Sequence, residues 1–320
     1  MTPLQFETQY RADWDELERL LGELHKRSTA PGADRIASLY RRACEQLALA
    51  RARAYPSHLV DRLNHLTADA HQAIYQHSEI GVARLRRLVA VEFPRAVRAH
   101  AVYVWLATLV FAGPLLVLGL LVYLNPELIL SLVDVETAAQ FEDMYAERGE
   151  NIGRERDAQS DCVMFAFYIY NNIGIAFQCF ASGLFAGVGS LFFLGFNGAY
   201  IGAIGGYLTE RGLSATFYSF VATHGAFELT AIVLSGAAGL RIGHALLAPG
   251  PRTRMQALTL ASRESIVIVY GVTGLLVIAA AVEAFWSSAA WIPHGVKYGA
   301  AACCWVAVIG YLWRQGRDAR

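Results

Sequence analysis

Apolar residues follow two different patterns along this chain, and the change falls near residue 100. In the first stretch Phe6, Tyr10, Trp14, Leu17, Leu21 and Leu24 recur three and four positions apart, with Asp13, Asp15, Glu16, Glu18 and Arg19 between them. That period predicts an amphipathic helix. The run Ser28 to Gly32 predicts its end. Ile36, Leu39, Tyr40, Cys44 and Leu47 mark a second helix, and Leu59, Leu63, Leu66, Ile74 and Tyr75 a third that follows Pro56 with Ser57 as N-cap. Beyond Tyr103 the alternation gives way to apolar runs long enough to cross a bilayer. Six spans fit: Tyr103 to Leu124, Cys162 to Ser182, Leu184 to Leu208, Ala215 to Ala238, Ser265 to Trp286 and Val296 to Trp313. No polar loop parts the second from the third around Ala181 to Gly189, which leaves a re-entrant pair open there. The fold class expected is all-α, a soluble helical domain over residues 1–80 followed by a polytopic transmembrane bundle over 100–320.

Residues 81–99 join the two as a basic amphipathic helix in which Arg84, Arg86, Arg87, Arg95 and Arg98 alternate with apolar positions, a pattern suited to the headgroup layer of the lipid bilayer. Arginines also lie between the fourth and fifth spans (Arg241, Arg252, Arg254, Arg263) and after the sixth (Arg314, Arg317, Arg320). The positive-inside rule then places both termini in the cytoplasm of a bacterium's inner membrane, with Asn125 to Asp161 outside. A hydrophobic content of 55% agrees with a multi-span chain, and a net charge of zero gives no reason to expect nucleic-acid binding. Met1 to Leu24 is charged and lacks the apolar core of a signal peptide. The five cysteines form no CxxC or Cys/His pattern, and His58, His65, His71 and His77 are spaced too widely for ligation from one helix, so no metal and no cofactor is expected.

Chemistry concentrates in the fourth span, where His224 and Glu228 sit one helical turn apart with no other charge before Arg241. A central acidic residue costs about 2.5 to 3.5 kcal/mol in a bilayer, so such a group faces a bundle interior or an aqueous path and has a partner. Asn171, Asn172 and Gln178 on the second span and Asn197 on the third are the polar residues expected to meet it. Gly198, Gly202 and Gly206 on the third span, and Ser235 and Gly239 on the fourth, form small-residue stripes for close helix packing. Glu283, near the outer end of the fifth span, is read as reaching the interface with no special role. The plain account of the polar cluster is interhelical hydrogen bonding with a protonated Glu228; the others are an ion or proton pathway, and catalysis. HExxH, GxSxG and GxxxxGK[ST] are all missing from the sequence.

PheProArg at Phe93 to Arg95, AsnAsn at Asn171 and Asn172 before a glycine-rich stretch, AsnGly at Asn197 and Gly198, and HisGlyAlaPheGlu at His224 to Glu228 together resemble the stage II sporulation protein M family. The resemblance runs from Phe93 to about Ala248. The front half, with Trp14, Tyr40, Arg51, Tyr55, Pro56 and Tyr75, is similar to that of the longer non-sporulating bacterial members. Resemblance implies a multi-pass membrane protein with an assembly or cell-envelope role, and carries over no catalytic residue. It implies envelope proteins, or a MoxR-type ATPase system with von Willebrand A-type proteins, as partners.

Three functions are therefore carried forward: a non-enzymatic membrane component that assembles with partners, a transporter or channel using His224 and Glu228, and an intramembrane enzyme using the same pair. The glycine stripe on the third span and the outward Cys162 further suggest a homodimer.

Overall fold

The computed structural model describes residues 1–26, 33–76, 81–146, 158–289 and 291–317. The turn expected at Ser28 to Gly32, His77, Arg320, part of Asn125 to Asp161, and the side chains of Leu24, Ile74 and Tyr75 lie outside them. Among the described residues the chain is helical throughout, without strands. It divides into two compact units, Met1–Arg86 and Arg87–Arg320.

In the first unit α1 (Pro3–Lys26), α2 (Ala33–Ala52) and α3 (Ser57–Gln76) close around one core of Phe6, Trp14, Leu17, Leu39, Leu63 and their neighbours. Polar groups inside it are satisfied: buried Trp14 donates Nε1–H to Gln46 Oε1 at 2.6 Å, and buried Thr67 donates to the Leu63 carbonyl at 2.7 Å. Outside the core Arg62 bridges Asp15 and Glu18 while Arg35 holds Glu16, so α1 is tied by charge to both other helices. His58, His65 and His71 are exposed, and His71 Nδ1 is shared with the Tyr40 hydroxyl at 3.1 Å. A short helix α4 (Gly81–Arg87) follows.

In the second unit a π-helical turn (Leu88–Glu92) leads into α5 (Phe93–Ala99). Phe93, Pro94 and Val97 are buried there, and Phe93 lies where a side chain at Gly271 would otherwise be. Two of the arginines expected at the membrane surface are used within the fold, since Arg95 Nε donates to the Gly316 carbonyl and Arg98 to the Leu312 carbonyl at 2.7 Å. They satisfy carbonyls left open at the end of the last helix, where a cation also suits the helix dipole.

Six helices are long and apolar enough to cross a membrane: α6 (Ala101–Leu124), α8 (Ala158–Ala181), α9 (Val188–Glu210), α10 (Ser214–Leu247), α11 (Arg254–Val282) and α12 (His294–Arg314). α10 is the axis of the bundle, 67% of its most apolar window being buried against 11% for α6. The fourth and fifth helices run past their expected ends. Arg241, Arg254 and Arg263, expected between the fourth and fifth spans, stand on α10 and α11, and a capping box of Thr253 and Gln256 starts α11 at Arg254. Arg241 there pairs with Glu264 of α11 at 2.7 Å, and His100 approaches the same carboxylate at 3.5 Å.

Between the second and third spans the chain makes a tight turn. Two full-length helices meet through a 3₁₀ turn (Ser182–Leu184) and Gly187, whose φ of +84° a side-chain-bearing residue rarely adopts. The turn is pressed on α10: a Cβ on Gly243 would strike the Gly187 backbone, and one on Gly183 the Gly239 backbone. Gly198, Gly202 and Gly206 of α9 lie against the Phe111, Leu115 and Gly119 carbonyls of α6 with no room for a methyl group. The stripe expected to form a homodimer is therefore filled by a helix of the same chain. Ser235 and Gly239 are buried likewise, Gly239 beside the Cys179 carbonyl.

Gly243→Val should cost at least the 1–3 kcal/mol typical of overpacking and abolish monodisperse extraction from membranes. Gly274→Ala, with open space around its Cα, should leave the melting temperature in detergent unchanged.

Candidate intramembrane polar site

α10 turns His224 and Glu228 toward α8 and the end of α11, with Nε2 and Oε2 3.8 Å apart. Both are shielded, their side chains 5% and 17% exposed. From α8, Asn171 and Asn172 face the same cavity, a space of about 240 Å³ also walled by Tyr168, Tyr200, Phe220 and Leu229. α11 ends by widening into a π-helical turn (Glu283–Ser287), a local irregularity often found where side chains are placed for function. Glu283 and Ser287 both reach α10 from this turn. Ser287 Oγ lies 3.0 Å from His224 Nδ1, and one ligating atom each from His224, Glu228 and Glu283 falls within 4.8 Å of the other two.

The start of α12 braces this arrangement from behind. Buried Lys297 donates Nζ–H to the Ser287 carbonyl at 2.7 Å, and its own carbonyl accepts from Thr223 Oγ1 at 3.2 Å. His294 Nδ1 and Ser219 Oγ share a hydrogen bond of 2.7 Å one turn further along α10. The Thr223 and Ser219 links join α10 to α12 and the Lys297 amine joins α12 to the π turn, so the imidazole is positioned by two neighbouring segments.

Polar satisfaction in the cavity is incomplete. Asn171 Nδ2 donates to Asn172 Oδ1 at 3.1 Å, and Glu283 interacts with the Asn172 side chain, yet Asn172 Nδ2 is buried without a hydrogen bond of normal geometry. Among the described residues no arginine or lysine pairs with Glu228 or Glu283. Two carboxyl groups this close in a low-dielectric interior need a proton or a cation between them. Oxygen donors from two helices beside one imidazole nitrogen are a donor set able to hold a cation.

Four of the six polar residues expected from the sequence meet here: Asn171, Asn172, His224 and Glu228. Two do not. Asn197 donates to its own Phe193 carbonyl at 2.8 Å, and Gln178 is exposed on another face. Glu283, assigned to the interface, is instead a wall of the cavity, and Ser287 and Lys297 were not anticipated. The available signal was Lys297 itself, one of only two lysines in the chain and set inside an apolar run.

The segment between the first two spans covers this end of the bundle. Asp134 starts α7 (Val135–Tyr145) by accepting the Thr137 N–H at 2.7 Å, which holds its carboxyl below the usual aspartate range. Glu142 accepts from the Tyr207 hydroxyl and pairs with Arg211 at 3.2 Å, while Tyr145 packs edge-on to Phe217 and lines the cavity with Phe141.

A model of the family described as stage II sporulation protein M matches residues 97–288, more than half of the chain. The chain belongs to that family. Every cavity residue named above from α8 to the π turn lies inside the family region, and Lys297 lies outside it. Residues 4–76 match a separate domain of unknown function, DUF8413, which coincides with the three-helix core. No curated protein and no solved structure matches the chain.

In a cysteine-free background, Ala138→Cys on the buried face of α7 should react slowly with a water-soluble thiol reagent. Adding Glu142→Gln should speed labelling about fivefold, the effect of losing about 1 kcal/mol from a partly exposed ion pair.

Proposed function

We propose that this family member handles a cation within the bilayer, with His224, Glu228 and Glu283 as the cation site and Asn171 and Asn172 as its polar wall. The observation that carries this reading is the convergence of two carboxyl groups and an imidazole within 4.8 Å in one cavity. Helix glue would need no more than a self-satisfied pair of polar groups. Among the described residues Asn172 Nδ2 makes no hydrogen bond of normal geometry and the ion-pair approach to Glu228 is that of His224 at 3.8 Å, which supports a role beyond glue. Intramembrane ionisable groups lining a cavity mark ion pathways by default. The cavity lies toward the Ser214 end of α10, with Glu228 about 21 Å along a helix about 51 Å long at 1.5 Å per residue. If the arginine-rich connections face the cytoplasm, as proposed for an inner-membrane protein with both termini inside, the site lies nearer the outer surface and α7 covers its entrance.

A second reading concerns the first unit. Its own core, and its match to a domain model separate from that of the membrane region, support an appended module that assembles with partner proteins of the envelope or of a MoxR-type system. The two readings are compatible, one assigned to each unit.

Reconstituted in liposomes and supplied in turn with gradients of H⁺, Na⁺, Ca²⁺ and Mn²⁺, the wild-type chain is expected to carry at least one of them. Glu228→Gln should abolish that flux and leave capture of partners by the tagged full chain unchanged. Unchanged flux in a well-folded Glu228→Gln protein would leave hydrogen-bond glue as the role of the pair.

A further inference from the structure

We propose that the cation is a divalent d-block metal ion of the zinc, cobalt or manganese type, ligated by His224 Nε2 and one carboxylate oxygen each from Glu228 and Glu283. This inference rests on the cation-site reading above and specifies its ligand.

Geometry comes first. Around such an ion, bonds of about 2.0–2.2 Å place neighbouring ligand atoms about 3–3.5 Å apart. Oε2 of Glu228 already lies 3.8 Å from Nε2, and the three-way set is confined within 4.8 Å.

Donor chemistry selects the ion class. Magnesium and calcium take oxygen ligands and gain nothing from an imidazole, whereas zinc, cobalt and manganese accept nitrogen and carboxylate together. Two ionised carboxylates balance a dication, so the occupied site would be close to neutral, as a low-dielectric interior demands.

The surroundings match what a ligating histidine needs. Its second nitrogen, Nδ1, sits 3.0 Å from Ser287 Oγ. With Nδ1–H donating to that hydroxyl, the Nε2 lone pair faces the two carboxylates, the tautomer a metal requires. Ser287 is itself held through its carbonyl by Lys297. The independent indication is Asn172: it is 3% exposed and lines the cavity, and its Nδ2 makes no hydrogen bond of normal geometry among the described residues. That N–H is placed to donate to the oxygen of a further, non-protein ligand such as water, and three protein ligands leave a coordination position for one.

The test uses the full chain in lipid nanodiscs, stripped with a chelator and dialysed against Zn²⁺, Co²⁺, Mn²⁺, Ca²⁺, Mg²⁺ or Na⁺, with bound metal measured by elemental analysis. About one Zn²⁺ or Co²⁺ per chain is expected, with ligand-field absorption from bound Co²⁺. His224→Gln and Glu283→Gln should each lower affinity more than tenfold, and Ser287→Ala about 10- to 100-fold. His71→Gln, on the exposed face of the first unit, should change nothing. If either ligand variant fails to fold, the wild-type stoichiometry and the Ser287→Ala shift decide. Zn²⁺ and Co²⁺ binding that survives in folded His224→Gln and Glu283→Gln overturns the assignment. Binding of Na⁺ or Ca²⁺ that Glu283→Gln removes, without d-block binding, overturns the metal class and leaves the cation site standing. No binding of any ion overturns both.

Discussion

Inside a bilayer a polar group has no water to fall back on, and the arrangement of this membrane unit follows from that constraint. Arg95 and Arg98 close the carbonyls at the end of α12. Ser190 Oγ donates to the Cys179 carbonyl where the chain turns between α8 and α9. Arg241 on α10 is neutralised by Glu264 on α11. Against this background of matched partners, the His224, Glu228 and Glu283 cavity stands out because its groups are gathered but not matched.

Close helix contact makes the gathering feasible. Lipid offers no hydrophobic force between helices, so packing must come from shape, and here glycine supplies it. α6 and α9 meet backbone to backbone at Gly198, Gly202 and Gly206, while the turn through Gly187 is seated on α10 at Gly239 and Gly243. Gly239 stands on nearly the same face of α10 as Glu228 and packs on the α8 carbonyls of Cys179 and Phe180, so the close contact there carries the face nearer the Ser214 end toward α8 and the end of α11. That face carries His224 and Glu228. Close packing toward one end of α10 and the His224–Glu228 pair toward the other are thus carried by one helix, with Gly239 and Gly243 supplying the packing.

Much of this was legible in the sequence because length and hydropathy are one-dimensional properties. Six spans, the three-helix front unit and the His224–Glu228 pair need only spacing to be seen. Helix ends needed capping chemistry: Thr253 and Gln256 start α11 well before its apolar run, since helical hydrogen bonding does not stop where charge begins. The site was half legible. Asn197 and Asn172 look equivalent in a list of intramembrane amides, but Asn197 donates to its own preceding turn and Asn172 does not, a distinction set by side-chain rotamer and neighbours that spacing does not show. Glu283 was misjudged for a related reason. Its depth along α11 suggested the interface, whereas the π turn beginning at Glu283 and the neighbouring α10 decide where the side chain goes.

The covering of the site adds one further step. α7 is short and amphipathic, and it packs on the bundle through Ala138 and Tyr145 and through one acid, Glu142, shared by Tyr207 and Arg211. The Glu142–Arg211 pair of this cover is partly exposed, unlike the buried link behind the cavity from Ser287 to Lys297. Partly exposed ion pairs contribute little and are screened by salt, whereas buried hydrogen bonds to a charged amine contribute more. The wall formed by α10, the π turn and α12 is therefore the firm side of the cavity and α7 the yielding one.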